Sequence, residues 1–420
     1  MRQIYIKNFK GFKEAIFQLK DVNFFVGENS TGKTSILKLI NILCSTEFSL
    51  SGEFNNSEVE LGYFEEIKLK NSTEKEFIIA TEAPYGAKES TKSILWEFQE
   101  VESVPRIKRI KITIGDEDVL ISLKKKEIHI RTKKLSNYSF DNWIKDFDFP
   151  KKFKKLSSPS PDVPLAFLIS LVESQMRSKV NDKSKGFSLH FRPLFVNYTW
   201  LAPIRAKAKR TYESFRIQFS PEGEHIPSLL RNTLTKSGKT KRNQITKTLE
   251  SFGRGSRLFD QIEIKELGKS KSSPFEINIL YNEMPIKLPN VGYGVSQILP
   301  LIVEMSSTEK TFFSIQQPEV HLHPKAQAAF GEFLLNSNQT NQNQFAIETH
   351  SDFTINRFRY TMAKSSKRQK PSAQILFFQR IKNGTTVSSI EIDSKGEYKD
   401  ELPDDYRSFF IDEELMLLEL

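Results

Sequence analysis

The run Gly27-Glu28-Asn29-Ser30-Thr31-Gly32-Lys33-Thr34 places two glycines, a lysine and a hydroxyl residue at the spacing of a phosphate-cradling loop. Glycines let successive backbone N–H groups curl around phosphate oxygens, and a helix beginning at the loop adds the positive end of its dipole. In such a loop Gly27, Asn29, Ser30, Thr31, Gly32 and Ser35 line the nucleotide. Lys33 reaches the β- and γ-phosphates, and Thr34 offers its hydroxyl to Mg²⁺. The expected ligands are therefore ATP and Mg²⁺. A glycine turn bearing a surface lysine would explain the loop, but not the strand before it or the helix after it.

Three further runs carry polar chemistry. Asn290–Gln297 sets Gly292, Gly294 and Ser296 ahead of the apolar helix Ile298–Val303. That makes a second anion-facing helix start with Ser296 near its cap, although a plain loop before a helix would look similar. Phe312–Pro324 is a buried strand delivering Gln316, Gln317 and Glu319 at its C-terminal end, where α/β ATPases place metal and water ligands. Glu348-Thr349-His350-Ser351-Asp352 stands at another strand end, where His350 could meet the γ-phosphate or its attacking water. His321 and His323 are spaced poorly for zinc and have no cysteine nearby, so capping or packing fits them better.

The elements that must hold these residues are legible from their periodicity. Residues 1–20 alternate as two short strands around Gly11-Phe12, and Asp21–Val26 reads as a buried strand ending at Gly27. Ser35–Leu43 has helical spacing. From 60 to 135, stretches such as Glu76–Ala80 and Arg109–Ile114 predict an antiparallel β-layer. Thr311–Ile315 and Gln344–Glu348 are buried strands around a helix from Pro324 to about Leu335, which points to a mainly parallel sheet with both faces covered. Between them the character changes: basic Lys151–Lys155, a Ser/Pro-rich turn and an apolar helix over 165–172. The expected fold is α/β, a P-loop core plus an antiparallel β-layer. One domain is assembled from 1–135 and 276–420, with a mostly helical lid or arm, 136–275, inserted.

Bulk properties bound the rest. A chain of 420 residues, 38% hydrophobic with 34 Phe, can bury a large core. Its single cysteine, Cys44, suits a reducing compartment. With no signal-like N-terminus and no apolar run approaching 18 residues, a cytoplasmic location and no membrane contact are expected. The excess of 62 basic over 52 acidic residues, +10, fits either a solvated lysine-rich surface or a nucleic-acid face.

In their order and spacing the four motifs resemble the ABC-like ATPases grouped with SMC, RecF and overcoming-lysogeny (OLD) proteins, most nearly the OLD-like AAA ATPases of bacterial anti-phage defence. Leu61–Ile67, Leu201–Arg205 and Glu222–Pro227 add weaker likeness. The resemblance implies a homodimer of heads, or a larger oligomer, with ATP sandwiched so that Ser296 meets the γ-phosphate in trans. It also puts Gln316 in the place of the Mg²⁺-ordering acid and Gln317 in that of the water-polarising residue. A neutral amide accepts no proton as a carboxylate does, so slow turnover is expected, with Glu319 or His350 partly compensating. About 70 residues follow His350, too few for the Toprim nuclease of full-length OLD proteins. Any nuclease is then expected as a separate polypeptide, as in the Septu and PARIS systems. The leading expectation is a nucleotide-gated sensor and scaffold that controls such an effector, with the acidic tail 409–420 either docking it or packing on its own domain. The alternative is a RecF-like repair ATPase that contacts DNA through Lys151–Lys155, Lys236–Arg242, Arg205, Lys207, Lys209 and Arg210. A transporter-associated ATPase fits less well, for want of the usual acidic motif.

Overall fold

The computed structural model describes residues 2–84, 91–114, 117–124, 127–135, 137–157, 164–167, 169–170, 193–213, 218–270, 272–367, 369–399 and 401–418. Two compact units share the chain. The first comprises Met1–Leu19, Glu28–Val196 and Phe378–Val387, and the second Lys20–Gly27, Asn197–Phe377 and Ser388–Leu420.

In the first unit, β1 (Arg2–Phe9), β2 (Phe12–Leu19), β4 (Glu76–Pro84), β5 (Thr91–Val101), β6 (Val104–Ile114), β7 (Glu117–Lys124), β8 (Glu127–Lys134) and β9 (Lys154–Ser157) form one antiparallel sheet in the order β2-β1-β4-β5-β6-β7-β8-β9. Helices α1 (Lys33–Cys44), α2 (Thr46–Ser51), α3 (Phe64–Ile67) and α4 (Phe140–Trp143) accompany it. The strands are rich in Ile and Phe, which suit a pleated, covered surface. Phe77 and Phe98 stack at 4.9 Å with Phe54 edge-on to both, so aromatic packing fixes one cluster. Another joins Tyr5, Ala80 and Leu95 to Phe140, Trp143 and Ile144, which seats α4. Lys111 is buried nearby and donates to the Trp143 and Asp146 carbonyls at 2.5 and 2.6 Å.

The second unit centres on a sheet in the order β10-β14-β15-β3-β16-β17. Its strands are β3 (Val22–Gly27), β10 (Tyr198–Leu201), β14 (Phe312–Gln316), β15 (Gln344–Glu348), β16 (Ala373–Ile381) and β17 (Gly384–Ile392). The unit boundaries cut through the last two. Strands β10, β14, β15 and β3 run parallel, and all of β3 and β14 is buried, as a sheet covered on both faces requires. A small antiparallel sheet of β11 (Gln261–Glu266), β12 (Phe275–Tyr281) and β13 (Met284–Lys287), with α5 (Ile226–Arg231) and α6 (Lys239–Ser256), shares this core. So do α7 (Tyr293–Ser307), α8 (Pro324–Asn341) and α9 (Asp352–Lys364). The tail forms α10 (Asp404–Leu418), whose Tyr406 and Phe409 pack edge-on against Phe377.

The stretch expected as a helical insertion is distributed differently. Within 136–275, β9 closes the large antiparallel sheet and β10 joins the parallel one, while α4, α5, α6 and β11 lie between. The helix expected over 165–172 falls partly outside the described residues; 165–167 and 169–170 are helical.

Candidate functional site

Strand β3 ends at Gly27 with φ 136, and the chain passes directly into the loop of the first unit. There Lys33 is 3% exposed, its Nζ folded onto the Glu28 carbonyl at 2.6 Å. The Thr31 hydroxyl donates to the same carbonyl at 2.8 Å. Ser30 takes φ 64 and Gly32 φ 92. A Cβ on Gly32 would stand 2.7 Å from the Phe12 ring, so both the backbone and the space demand glycine there. Gly32 is the N-cap of α1, accepts from Ile36 N at 3.1 Å, and no acidic residue occupies the first turn. The positive end of the helix is thus left uncompensated. Thr34 and Ser35 are half-buried on that turn, and the Asn29 carbonyl accepts from Arg380 Nη2 at 3.1 Å. A loop with two left-handed residues, a buried ammonium and an open helix start fits a polyphosphate.

In the second unit the carboxyl ends of four parallel strands come together: Leu201, Gln316, Glu348 and Gly27. Buried Gln316 donates through Nε2 to the buried Glu348 carboxylate at 3.2 Å. Gln317 turns the chain with φ 41, its N–H donating to the Glu348 carbonyl at 2.8 Å. That left-handed conformation is costly outside glycine and is held here by the strand-to-strand bond. Glu319 Oε1 accepts the His350 N–H at 2.7 Å, and burial pushes the Glu319 carboxyl above the ordinary carboxylate range. Arg205 lies beyond β10, 2% exposed, with Nη2 donating to the Gln316 carbonyl at 3.0 Å. Burial lowers its guanidinium to about 10, against the pull of Glu319.

The start of α7 packs on this turn. A Cβ on Gly294 would lie 2.6 Å from the His321 carbonyl oxygen, and Tyr293 meets the His321 ring edge-on at 4.7 Å. Ser296 donates to the Tyr293 carbonyl at 2.8 Å, and Gln297 Oε1 accepts the Arg205 N–H at 3.4 Å. His323 caps α8, its Nδ1 accepting from Ala326 N at 3.3 Å. The His350 ring faces Phe409 of α10 at 6.3 Å.

Gln316, Gln317, Glu319, His350 and the Gly294–Ser296 segment therefore share one edge of the second unit, while Asn29 to Ser35 form the loop of the first. Two residues of that edge stand in the sequence runs quoted above but carry no role there in the site. Glu348 supplies the carboxylate that positions 316 and 317 lack; its signal in the sequence is its place as the last strand residue before His350. Arg205, expected among the residues that track DNA on the surface, is buried, which overturns that expectation. Of the other basic residues, Lys155 pairs with Glu127, and Arg242 donates to the Thr235 and Ser237 carbonyls.

For Mg²⁺ the edge offers the oxygens of the Gln316 amide and the Glu348 carboxylate. An all-oxygen donor set suits this hard ion. A parallel sheet with a glycine loop after one strand, polar residues at the neighbouring strand ends and an antiparallel layer defines an ABC/SMC-like P-loop ATPase fold. Residues 1–355 match the AAA ATPase domain, and the chain belongs to that family. Nucleotide binding follows from membership. Solved structures similar to it include SMC heads. The SMC head bound to the C-winged helix domain of ScpA is 12% identical, with TM-score 0.47, over 93% of this chain and 97% of that one. The head domain from Thermotoga maritima is 11% identical, with TM-score 0.40, over 93% and 98%. The head with an extended coiled coil bound to the C-terminal domain of ScpA, derived from Pyrococcus furiosus, is 10% identical, with TM-score 0.43, over 100% and 99%. No curated protein matches the chain. Among the described residues no helix is long and apolar enough to cross a membrane.

Proposed function

We propose that this ATPase hydrolyses ATP slowly and works as a nucleotide-gated sensor and scaffold, holding a separate effector, a nuclease, in check within a bacterial anti-phage system. The observation that carries the slow-turnover reading is the end of β14. Position 317 offers a neutral amide, and Gln316 is tied through its Nε2 to Glu348. General-base assistance is worth about 10²–10⁴-fold in rate, and an amide supplies none. The defence role and the effector rest on the motif resemblance and on this poverty in base.

In this reading Gly27 to Gly32 wrap the phosphates with backbone N–H groups, and Lys33 neutralises the β- and γ-phosphates. Thr34 and Gln316 would hold Mg²⁺, which when bound offsets phosphate charge as a Lewis acid. Gln317 orients water without taking its proton. Glu319 compensates only in part as an acceptor of that proton, with one of its oxygens fixed by the His350 N–H. His350 contacts the terminal phosphate, and Ser296 meets nucleotide held by a second copy.

Steady-state hydrolysis by the chain, beside Lys33→Ala and Gln317→Glu, tests this. The expected result is a wild-type rate near background, a gain of at least ~10-fold in Gln317→Glu, and none in Lys33→Ala. Brisk wild-type turnover, abolished by Lys33→Ala, would instead favour an active clamp of RecF type on DNA.

A further inference from the structure

The run Ser45–Ile67 carries six glutamates and no lysine, arginine or histidine, in a chain whose formal charge is +10. Glu47, Glu53, Glu60, Glu65 and Glu66 are exposed, and among the described residues only Glu65 of these forms an ion pair, with Lys68 at 3.5 Å. The tip of the β5–β6 hairpin adds exposed Glu100 and Glu102. It is tied to the run by the Ser103 carbonyl, which accepts the Phe64 N–H at 2.9 Å. Apolar side chains stand exposed on the same surface: Leu50, Val101, Val104 and, at 66%, Tyr63. Tyr63 and Val104 line one cavity with Glu53 and Arg106. Apolar side chains ringed by one sign of charge make a contact surface for a partner of the opposite sign.

The same chain holds the complement. Lys236–Arg257 carries seven basic residues against Glu250 alone. Lys236, Lys239, Lys241, Lys247, Arg254 and Arg257 are exposed on α6 and its flanks, whereas Ile245, Leu249 and Phe252 turn to the core. Beside Lys247, between α6, α7 and α8, lies a cavity of ≈ 280 Å³ walled by Phe252, Met305 and Phe333. Ser306 also lines it, its Oγ buried and without a hydrogen-bond partner among the described residues. Buried hydroxyls are normally paired, and an apolar wall with one unsatisfied hydroxyl suits a phenol.

We infer that the acidic surface of Ser45–Ile67 docks on the α6 face of a second copy of the chain, with Tyr63 entering the cavity beside Lys247. A polyanion would match α6 and leave the glutamates and their apolar centre uncovered; a second copy covers both. The contact joins two different surfaces, so copies add head to tail into a ring or a row. It needs no nucleotide and is separate from the joining of heads through Ser296.

The test is sedimentation of the full chain without nucleotide at about 0.1 M and about 1 M salt, between which the Debye length falls from about 10 to about 3 Å. Wild type should form dimers and larger species at low salt, with a dissociation constant at least ~10-fold higher at high salt. One variant combines Glu53→Lys, Glu100→Lys and Glu102→Lys; the other combines Lys239→Glu, Lys241→Glu and Lys247→Glu. Each alone should stay at the lower mass. Their equimolar mixture should form a 1:1 pair and stop there, because the first keeps an intact α6 face and the second an intact acidic surface. Tyr63→Ala alters no charge and, at so exposed a position, leaves the fold intact should a charge variant fold poorly; it should weaken wild-type association about 10-fold. Association kept in full by either charge variant or by Tyr63→Ala, or a mixture without the pair, places the joining surface elsewhere and overturns the contact. A wild type of one mass at low salt overturns it too, and if that chain binds a duplex oligonucleotide that the Lys239→Glu variant loses, α6 serves a nucleic acid instead.

Discussion

The titration of Glu319 is displaced by its place in the strand-end cluster, and the displacement has a sign. Burial raises it, so between its ordinary value near 4.5 and its folded value the native chain holds a proton that the unfolded chain has lost. Stability therefore falls as pH rises through that window. Glu319→Gln removes this fall: urea midpoints of variant and wild type should agree at the acid end and diverge in the variant's favour toward neutral pH. The same variant, measured in a Gln317→Glu background where turnover is readable, should lose about 10-fold or more in rate if Glu319 takes the proton, and little if the carboxylate introduced at position 317 has replaced it. The polar residues at 316, 317, 319 and 350 are visible in the sequence because each follows an apolar strand. The roles of Glu348 and Arg205 are not, for different reasons. Glu348 reads as the end of a strand, and its pairing with Gln316 is made across 32 residues. Arg205 sits among Lys207, Lys209 and Arg210, and only tertiary burial separates it from that basic run.

Elements with a strong period are legible in the sequence, and those without are not. Asp21–Val26, Gln344–Glu348 and the helix from Pro324 correspond to β3, β15 and α8, since an uninterrupted apolar run or a 3.6-residue stripe survives any context. Strand β10 spans four residues and pairs along one edge with β14, more than 100 residues away; β9 is a lysine-bearing edge strand. Neither is long enough to show a period, and edge lysines resemble a loop. Packing between elements yields two predictions. Gly294→Ala forces a methyl against the His321 carbonyl, so α7 and the 317–323 turn must part; a loss of about 1–3 kcal/mol in urea unfolding is expected. Lys111→Met leaves the Trp143 and Asp146 carbonyls without their donor and should cost ~1–3 kcal/mol. Burial lowers Lys111 to about 8 from 10.5, so the unfolded chain binds more protons between those values. Wild-type stability relative to Lys111→Met should accordingly rise as pH climbs from 8 to 10.5.

A sensor needs its nucleotide state to be read by something larger than a loop, and the proposed reader is a second copy of the chain. Lys33 and Ser296 belong to motifs some 260 residues apart, and only the resemblance to sandwiched heads joins them across two chains. Ser296 is buried in its helix, its hydroxyl donating to the Tyr293 carbonyl, whereas Tyr293 itself stands 45% exposed and Ile204 75%. An association that buries those two side chains would gain apolar area, and a terminal phosphoryl would add charge contacts that ADP cannot. Sedimentation in AMP-PNP should thus show a dimer or larger species, while ADP leaves the chain at lower mass. Ser296→Arg should abolish the shift and leave ADP affinity within about twofold, because the bulk and charge would be driven out of the helix start toward the proposed joining surface and not toward the loop around Lys33. A triphosphate-dependent dimer that survives Ser296→Arg would place the joining surface elsewhere, whereas a chain of one mass in every nucleotide state would remove the trans contact, and with it the means by which bound ATP could restrain an effector.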